Sequence, residues 1–215
     1  MDGKNSRHTS GLVSRRLLTV AIVVSLSTYY FPLFHVSRLS TVASPIDFDT
    51  LAAANRFWIE DLPAAHADNA TVIALAYQTD PSGAIKEHAR FVGLGGAAYF
   101  FIKGEGKVVS YTHDAIRLVL AGDPAPQIEI QIGPIFGNAV RDATGLLDVN
   151  RFPSLEDFNE IASDLNQRVE SRVLPPLRAR VTVGAHVIFT GCAEAGESAQ
   201  GQQVLSVIPI KAEVR

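Results

Sequence analysis

Residues 17–36, LLTVAIVVSLSTYYFPLFHV, run for twenty positions without Asp, Glu, Lys or Arg. At about 1.5 Å of helical rise per residue, that length crosses the roughly 30 Å hydrocarbon layer of a bilayer. Lys4, Arg7, Arg15 and Arg16 precede it, opposed only by Asp2, so residues 1–16 carry a net charge of +3. The positive-inside rule keeps this basic leader in the cytoplasm and exports everything after residue 36. Tyr29, Tyr30 and Phe31 lie toward the far end, where an aromatic belt meets the interface.

Two competing explanations of this segment are weaker. A buried core helix leaves the flanking basic cluster unexplained. A cleaved signal peptide needs small residues soon after the apolar run, and the best site, Thr41-Val42-Ala43, comes some seventeen residues past Leu26. An uncleaved single-pass anchor in the inner membrane is therefore expected, with the C-terminal part in the periplasm. Ser14-Arg15-Arg16-Leu17-Leu18 partly resembles a twin-arginine export signal, but ordinary topogenic arginines explain it as well. Acylation at a cysteine beside the span is excluded, because the one cysteine is Cys192.

Of the 215 residues, 47% are hydrophobic and 19% charged, against roughly 25% charged in soluble chains. Such a composition excludes a disordered chain, and a single cysteine excludes a disulfide framework. Net charge is −3, and removing the leader's +3 leaves −6 on residues 17–215. Nucleic acid is not expected as a partner, since nothing neutralises a phosphate backbone.

The exported part divides into a helical segment, 47–92, and a strand-rich domain, 93–215. Asp47 or Asp49 is placed to cap a first helix carrying Phe48, Leu51, Ala52, Phe57 and Trp58, which Leu62-Pro63 should end. A second helix is predicted over residues 65–77 and a third over 83–90, with a turn at Asp80-Pro81-Ser82-Gly83. Residues 98–103 and 107–111 read as a hairpin turning at Gly104-Glu105-Gly106. Gln127-Ile128-Glu129-Ile130-Gln131-Ile132 alternates at period two, so its isoleucines share one sheet face.

Across residues 154–173, Leu155, Phe158, Ile161, Ala162, Leu165, Val169 and Val173 form one apolar helical stripe. Ser154 is its cap and Pro175-Pro176 its expected end. Two further strands are predicted at 185–192 and 203–213. Three strands, a helix, then two strands is the order of an OB-type barrel. The expected class is thus α+β: an OB-fold-like five-stranded β-barrel, with a long helix between strands 3 and 4.

Three strings narrow this further: Lys103-Gly104-Glu105-Gly106-Lys107-Val108, then Ile132-Gly133-Pro134-Ile135-Phe136-Gly137-Asn138-Ala139-Val140-Arg141-Asp142-Ala143, then Asp157-Phe158-Asn159 with Leu165-Asn166. Together they resemble the DUF2291 family of predicted periplasmic lipoproteins, over roughly residues 47–213. The resemblance implies an OB-like domain with added helices and no established reaction. It also implies an accessory role beside sugar-type ABC transporters, whose components become expected partners. There are two departures from the family pattern. The lipidated cysteine is absent, and Asn138 stands where many relatives have Thr.

Candidate ligand-binding residues are Gly133, Phe136, Asn138, Arg141, Asp142, Asn159 and Asn166. Asn138, Arg141 and Asp142 suit the hydroxyls of a carbohydrate or an anionic group. The alternative is that Arg141 pairs with a carboxylate or carbonyl and pins the sheet to the long helix. Asn159 and Asn166, two helical turns apart, share a face, and either reach a ligand or satisfy backbone groups. An enzyme of envelope carbohydrate would instead draw on Asp142, Glu105 and His113. His113-Asp114, His186 and Cys192 match no metal or triad spacing, so no metal, cofactor or catalysis is expected. A small-molecule sensor is a third possibility.

Overall fold

The computed structural model describes residues 48–92, 96–196 and 204–215. The basic leader and the span at 17–36 lie outside these residues. Among the described residues no helix is long and apolar enough to cross a membrane.

The front of the domain is helical because polar side chains start each helix where its first N–H groups need acceptors. Asp49 accepts from Ala52 N at the head of α1 (Thr50–Arg56). Asn69 accepts from Thr71 N and Val72 N at the head of α3 (Ala70–Thr79). Asp80 accepts from Gly83 N at the head of α4 (Pro81–His88). Each such cap contributes about 1 kcal/mol. The expected turn at residues 80–83 is thus the start of α4, with Pro81 in the first turn, where a missing N–H costs nothing. Residues 65–69, expected to be helical, include instead the two-residue strand β1 (Asp68–Asn69), and residues 90–92 form β2 (Arg90–Val92).

The first proline signal falls within one residue of its helix end at Ala64, whereas the second does not end its helix. Phe57–Asp61 is a π turn, in which Leu62 N–H reaches Phe57 O, and the chain continues as α2 (Leu62–Ala64) through Pro63. The long amphipathic helix goes further. It runs as α6 (Leu155–Arg168), widens into a π turn at Val169–Val173 with Leu174 N–H on Val169 O, and continues as α7 (Leu174–Arg180) through Pro175 and Pro176. A widened turn shifts the hydrogen-bond partners by one residue, and the prolines then fall in a new first turn, where neither a donor nor the clash of a helix interior arises.

The expected hairpin is one strand. β3 (Ala97–Tyr111) passes straight through Gly104-Glu105-Gly106. These glycines serve close approach instead of a turn. A Cβ on Gly104 would lie 2.8 Å from Ala70 Cβ of α3, and one on Gly106 2.9 Å from Leu120 Cδ2. Length lets β3 serve two neighbours. It pairs antiparallel with β6 (His186–Glu194) over Tyr99–Lys107, and with β4 (Ala115–Leu120) over Gly106–Tyr111.

From β4 the pairing continues antiparallel to β5 (Gln127–Gln131), parallel to β7 (Leu205–Val214) and antiparallel to β6, which returns it to β3. The five strands therefore close a ring of hydrogen bonds. Three strands do precede the long helix and two follow it, but the second is β4, which the sequence pattern leaves out because its outer positions, Ala115, Arg117 and Val119, mix polar and apolar residues. Arg117 is paired with Glu129 on β5 at 2.6 Å.

Phe100, Ile102, Ile116, Leu118, Ile128, Ile130, Val187 and Phe189 are buried in one apolar cluster with Ile161, Leu165 and Val169 of the long helix. Each contributes roughly 1.5–3 kcal/mol by leaving water. The alternation in residues 127–132 is realised as expected: Ile128 and Ile130 are fully buried, while Gln127, Glu129 and Gln131 are half-buried.

Candidate functional site

After β5 the chain turns over the long helix. Ile132 N and Gly133 N both donate to Asp114 O, at 2.7 and 3.0 Å. A Cβ on Gly133 would lie 2.7 Å from Asp114 Oδ1, so this glycine admits the β3–β4 turn and lines no cleft. Ile135 is buried, and its N–H donates to Glu170 Oε1 at 2.6 Å. Held there, the loop turns Phe136 outward, 80% exposed, which is unusual for a side chain whose exposure to water costs free energy. Gly137, at φ +82°, then reverses the backbone into the short helix α5 (Ala139–Asp142), whose two last N–H groups bond Asn138 O.

Arg141 and Asp142 face inward, 5% and 4% exposed. The guanidinium grips the carboxylate with two bonds, Nε to Oδ1 at 2.7 Å and Nη2 to Oδ2 at 2.9 Å. Its remaining nitrogen donates to Phe158 O at 3.1 Å and Asn159 Oδ1 at 3.0 Å, and the cation lies 3.8 Å above the Phe158 ring. These contacts pin α5 to α6 and leave the guanidinium engaged inside the protein. Beside them, burial, then Glu194 and Asp142, push the Tyr99 hydroxyl up to about 12.

What remains open is a cleft of about 620 Å³ between the Phe136 loop and α6. Of the seven expected residues, Phe136, Asn138, Asn159 and Asn166 line it, while Gly133, Arg141 and Asp142 do not. Arg141 acts on it indirectly. By donating to Asn159 Oδ1 it fixes that amide, so Nδ2 is the group offered to the cleft. Asn166 is fixed in the other sense. Its Nδ2 donates to Gly137 O at 3.0 Å, and Oδ1, on a residue only 9% exposed, meets no donor. It is the one buried side-chain N or O without a partner among the described residues. The cleft thus has the Asn159 amide nitrogen at one end of a helix face and, two turns on, an unpaired acceptor just beneath its wall.

Ser163, Gln167 and Glu170 also line it and were not singled out in the sequence. The available signal was helical spacing: Ser163 lies four from Asn159 and three from Asn166, Glu170 four from Asn166, and Gln167 four from Ser163.

The other titratable candidates do not come together. His113 Nδ1 is 2.8 Å from Asp114 Oδ1 on an exposed turn, and His186 Nδ1 is 3.2 Å from Glu105 Oε1. Asp142 is held by Arg141, so Asp142, Glu105 and His113 belong to three separate pairs. Cys192 is wholly buried, which pushes its thiol up and keeps it protonated. Among the described residues no group of three His, Cys, Asp or Glu is placed to hold a metal.

A crystallised OB-fold protein from Thermotoga maritima superposes with a TM-score of 0.66, covering 79% of this chain and 100% of its own, at 23% identity. That similarity shows the fold: an α+β, OB-like arrangement. Among curated proteins none matches. A family model for DUF2291, described as a predicted periplasmic lipoprotein, matches residues 19–213. With nearly the whole chain covered, and with the Gly-Pro and Arg-Asp string of residues 133–142 forming the loop and clamp just described, the chain belongs to the DUF2291 family.

Proposed function

We propose that the protein is a non-enzymatic binding component of the periplasm, held at the inner membrane by residues 17–36, that takes a small neutral polyhydroxylated ligand and serves a sugar ABC transporter. The observation that carries the ligand is Asn166 Oδ1. A buried carbonyl without a donor costs about 1–3 kcal/mol, and a small turn of the Asn166 side chain that brings Oδ1 to a ligand hydroxyl in the cleft removes that cost. Asn159 Nδ2 donates to a second ligand oxygen, and the exposed ring of Phe136 supplies an apolar face for the C–H side of a sugar ring. The family description supports the periplasm, and the charge-free run of residues 17–36 behind a basic leader supports the anchor.

A thermal-shift series with pentoses, hexoses and disaccharides tests the ligand. At a hundredfold excess over Kd, a bound sugar adds about 2.7 kcal/mol to the stability of the native state, and Asn166→Leu abolishes the shift. The same substitution leaves the unliganded protein within about 1 kcal/mol, because it removes the unpaired carbonyl along with one hydrogen bond. Absence of any sugar-induced shift defeats this assignment. For the partner, mild crosslinking of the full chain in its own membrane should recover a transporter subunit, and repeated failure under conditions that trap other envelope complexes defeats it.

A further inference from the structure

We infer that a second site, on the outer face of β3, β6 and β7, binds a phosphate ester carried on an apolar body. Lys103, Thr190 and Lys211 are direct neighbours across these three strands. At about 4.8 Å per strand their outer members are roughly 10 Å apart at Cα, within which two lysine side chains can converge on one group above the threonine hydroxyl. Of the four lysines among the described residues, Lys86, Lys103, Lys107 and Lys211, two therefore stand in one rung of an otherwise acidic domain.

No ion pair reaches either lysine among the described residues. The nearest carboxylates along the strands, Glu105 and Glu213 in the next rung of that face, are directed elsewhere, to His186 at 3.2 Å and Arg215 at 3.9 Å. Asp68, on the neighbouring β1, lies 3.7 Å from His66.

These lysines do not stand on an open surface. With Thr190 they line a cleft of about 350 Å³ whose other wall is Trp58, Leu62, Pro63 and Ala65. The wall is built by the π turn at Phe57–Asp61, which sets Trp58, half-buried, over the sheet. Two ammonium groups and a hydroxyl donor match the charge of nearly two and the three acceptor oxygens of a phosphate monoester. The indole, proline and leucine then cover the apolar remainder of the ligand. None of these residues lines the cleft under Phe136, so this site is independent of the sugar assignment.

Trp58 is the only tryptophan in the chain, which makes its emission a reporter of this cleft alone. The full chain in neutral maltoside detergent is titrated with octyl phosphate, octyl glucoside and inorganic phosphate. Octyl phosphate should change Trp58 emission saturably and bind about tenfold more tightly than octyl glucoside, which has the same tail and no charge; inorganic phosphate, which has the charge and no tail, should also bind more weakly than octyl phosphate. Lys103→Gln with Lys211→Gln should weaken octyl phosphate about tenfold without moving the unfolding midpoint, since both side chains are exposed. Trp58→Phe should lose the optical signal while calorimetry still records binding.

Reconstitution of the full chain in phosphatidylcholine bilayers, with and without phosphatidic acid, separates the two sources of such an anion. An emission change on adding phosphatidic acid identifies a lipid headgroup, and a response to octyl phosphate alone identifies a soluble ester. Equal affinity for octyl phosphate and octyl glucoside, or unchanged affinity in the double lysine variant, overturns the site.

Discussion

Replacing Arg141 by methionine lowers the free energy of unfolding by about 3–5 kcal/mol. The size of the effect comes from what is left behind. Asp142, 4% exposed, gives both oxygens to Arg141, and without that partner a carboxylate sits desolvated against the sheet. Phe158 O and Asn159 Oδ1 lose their donor at the same time, and α5 loses its hold on α6. Urea denaturation reads the change as a lower midpoint with an unaltered slope. Arg141→Lys recovers only part of it, because one ammonium cannot make a two-bond grip and reach the helix together. Removing both charges, as Arg141→Met with Asp142→Leu, restores much of the stability, since the cost lies in the unpaired ion. A loss below about 1 kcal/mol in Arg141→Met would show that Asp142 finds water and that the pair is not a clamp.

A second large effect is expected at Gly191. The pairing of β6 with β7 shifts register between Thr190 and Gly191, which brings the backbones close. A Cβ on Gly191 would lie 2.5 Å from Val207 Cγ1 and 2.6 Å from Ile208 O. The valine side chain has alternative rotamers, but the carbonyl belongs to a strand paired on both sides and cannot retreat without disturbing the ring. Gly191→Ala therefore costs about 3 kcal/mol, at the upper end of overpacking penalties. Gly196→Ala is the matched control. Its Cβ meets nothing within 4 Å, so the change stays within about 0.5 kcal/mol. Thermal or urea unfolding of the two variants side by side checks the contrast, and similar stabilities would show that β7 yields at the bulge.

These two positions also mark where sequence and structure part. Periodicity carried the long helix and β5, because burial of one face repeats at 3.6 or 2 residues whatever the neighbours are. Glycine and proline did not translate so directly. Gly104 and Gly106 have the composition of a turn, but the demand on them comes from Ala70 and Leu120, which only the folded chain brings near. Pro63 does mark a helix end, one residue on at Ala64, but Pro175-Pro176 does not, because the π turn ahead of it removes the conflict that would have ended the helix. Such a turn has no marker in the local sequence.

For the cleft, the family-like string of residues 133–142 pointed to the correct loop but not to which members face out. Chain neighbours there divide between interior and surface: Ile135 inside, Phe136 outside, Arg141 and Asp142 inside again. The amides of α6 were legible from spacing. Their orientations were not, since Arg141 and Gly137 O set them from other elements.

Closure of the ring through β3 makes the C-terminal strands responsible for concealing backbone elsewhere. β7 alone stands between β5 and β6, so its loss would bare the hydrogen-bonding groups of both, one on each side of the gap. Unpaired strand margins of this kind template association with other chains. Premature truncation before Leu205 would therefore yield a self-adhesive product, so the ten residues of β7 guard against uncontrolled association as well as holding the ring closed.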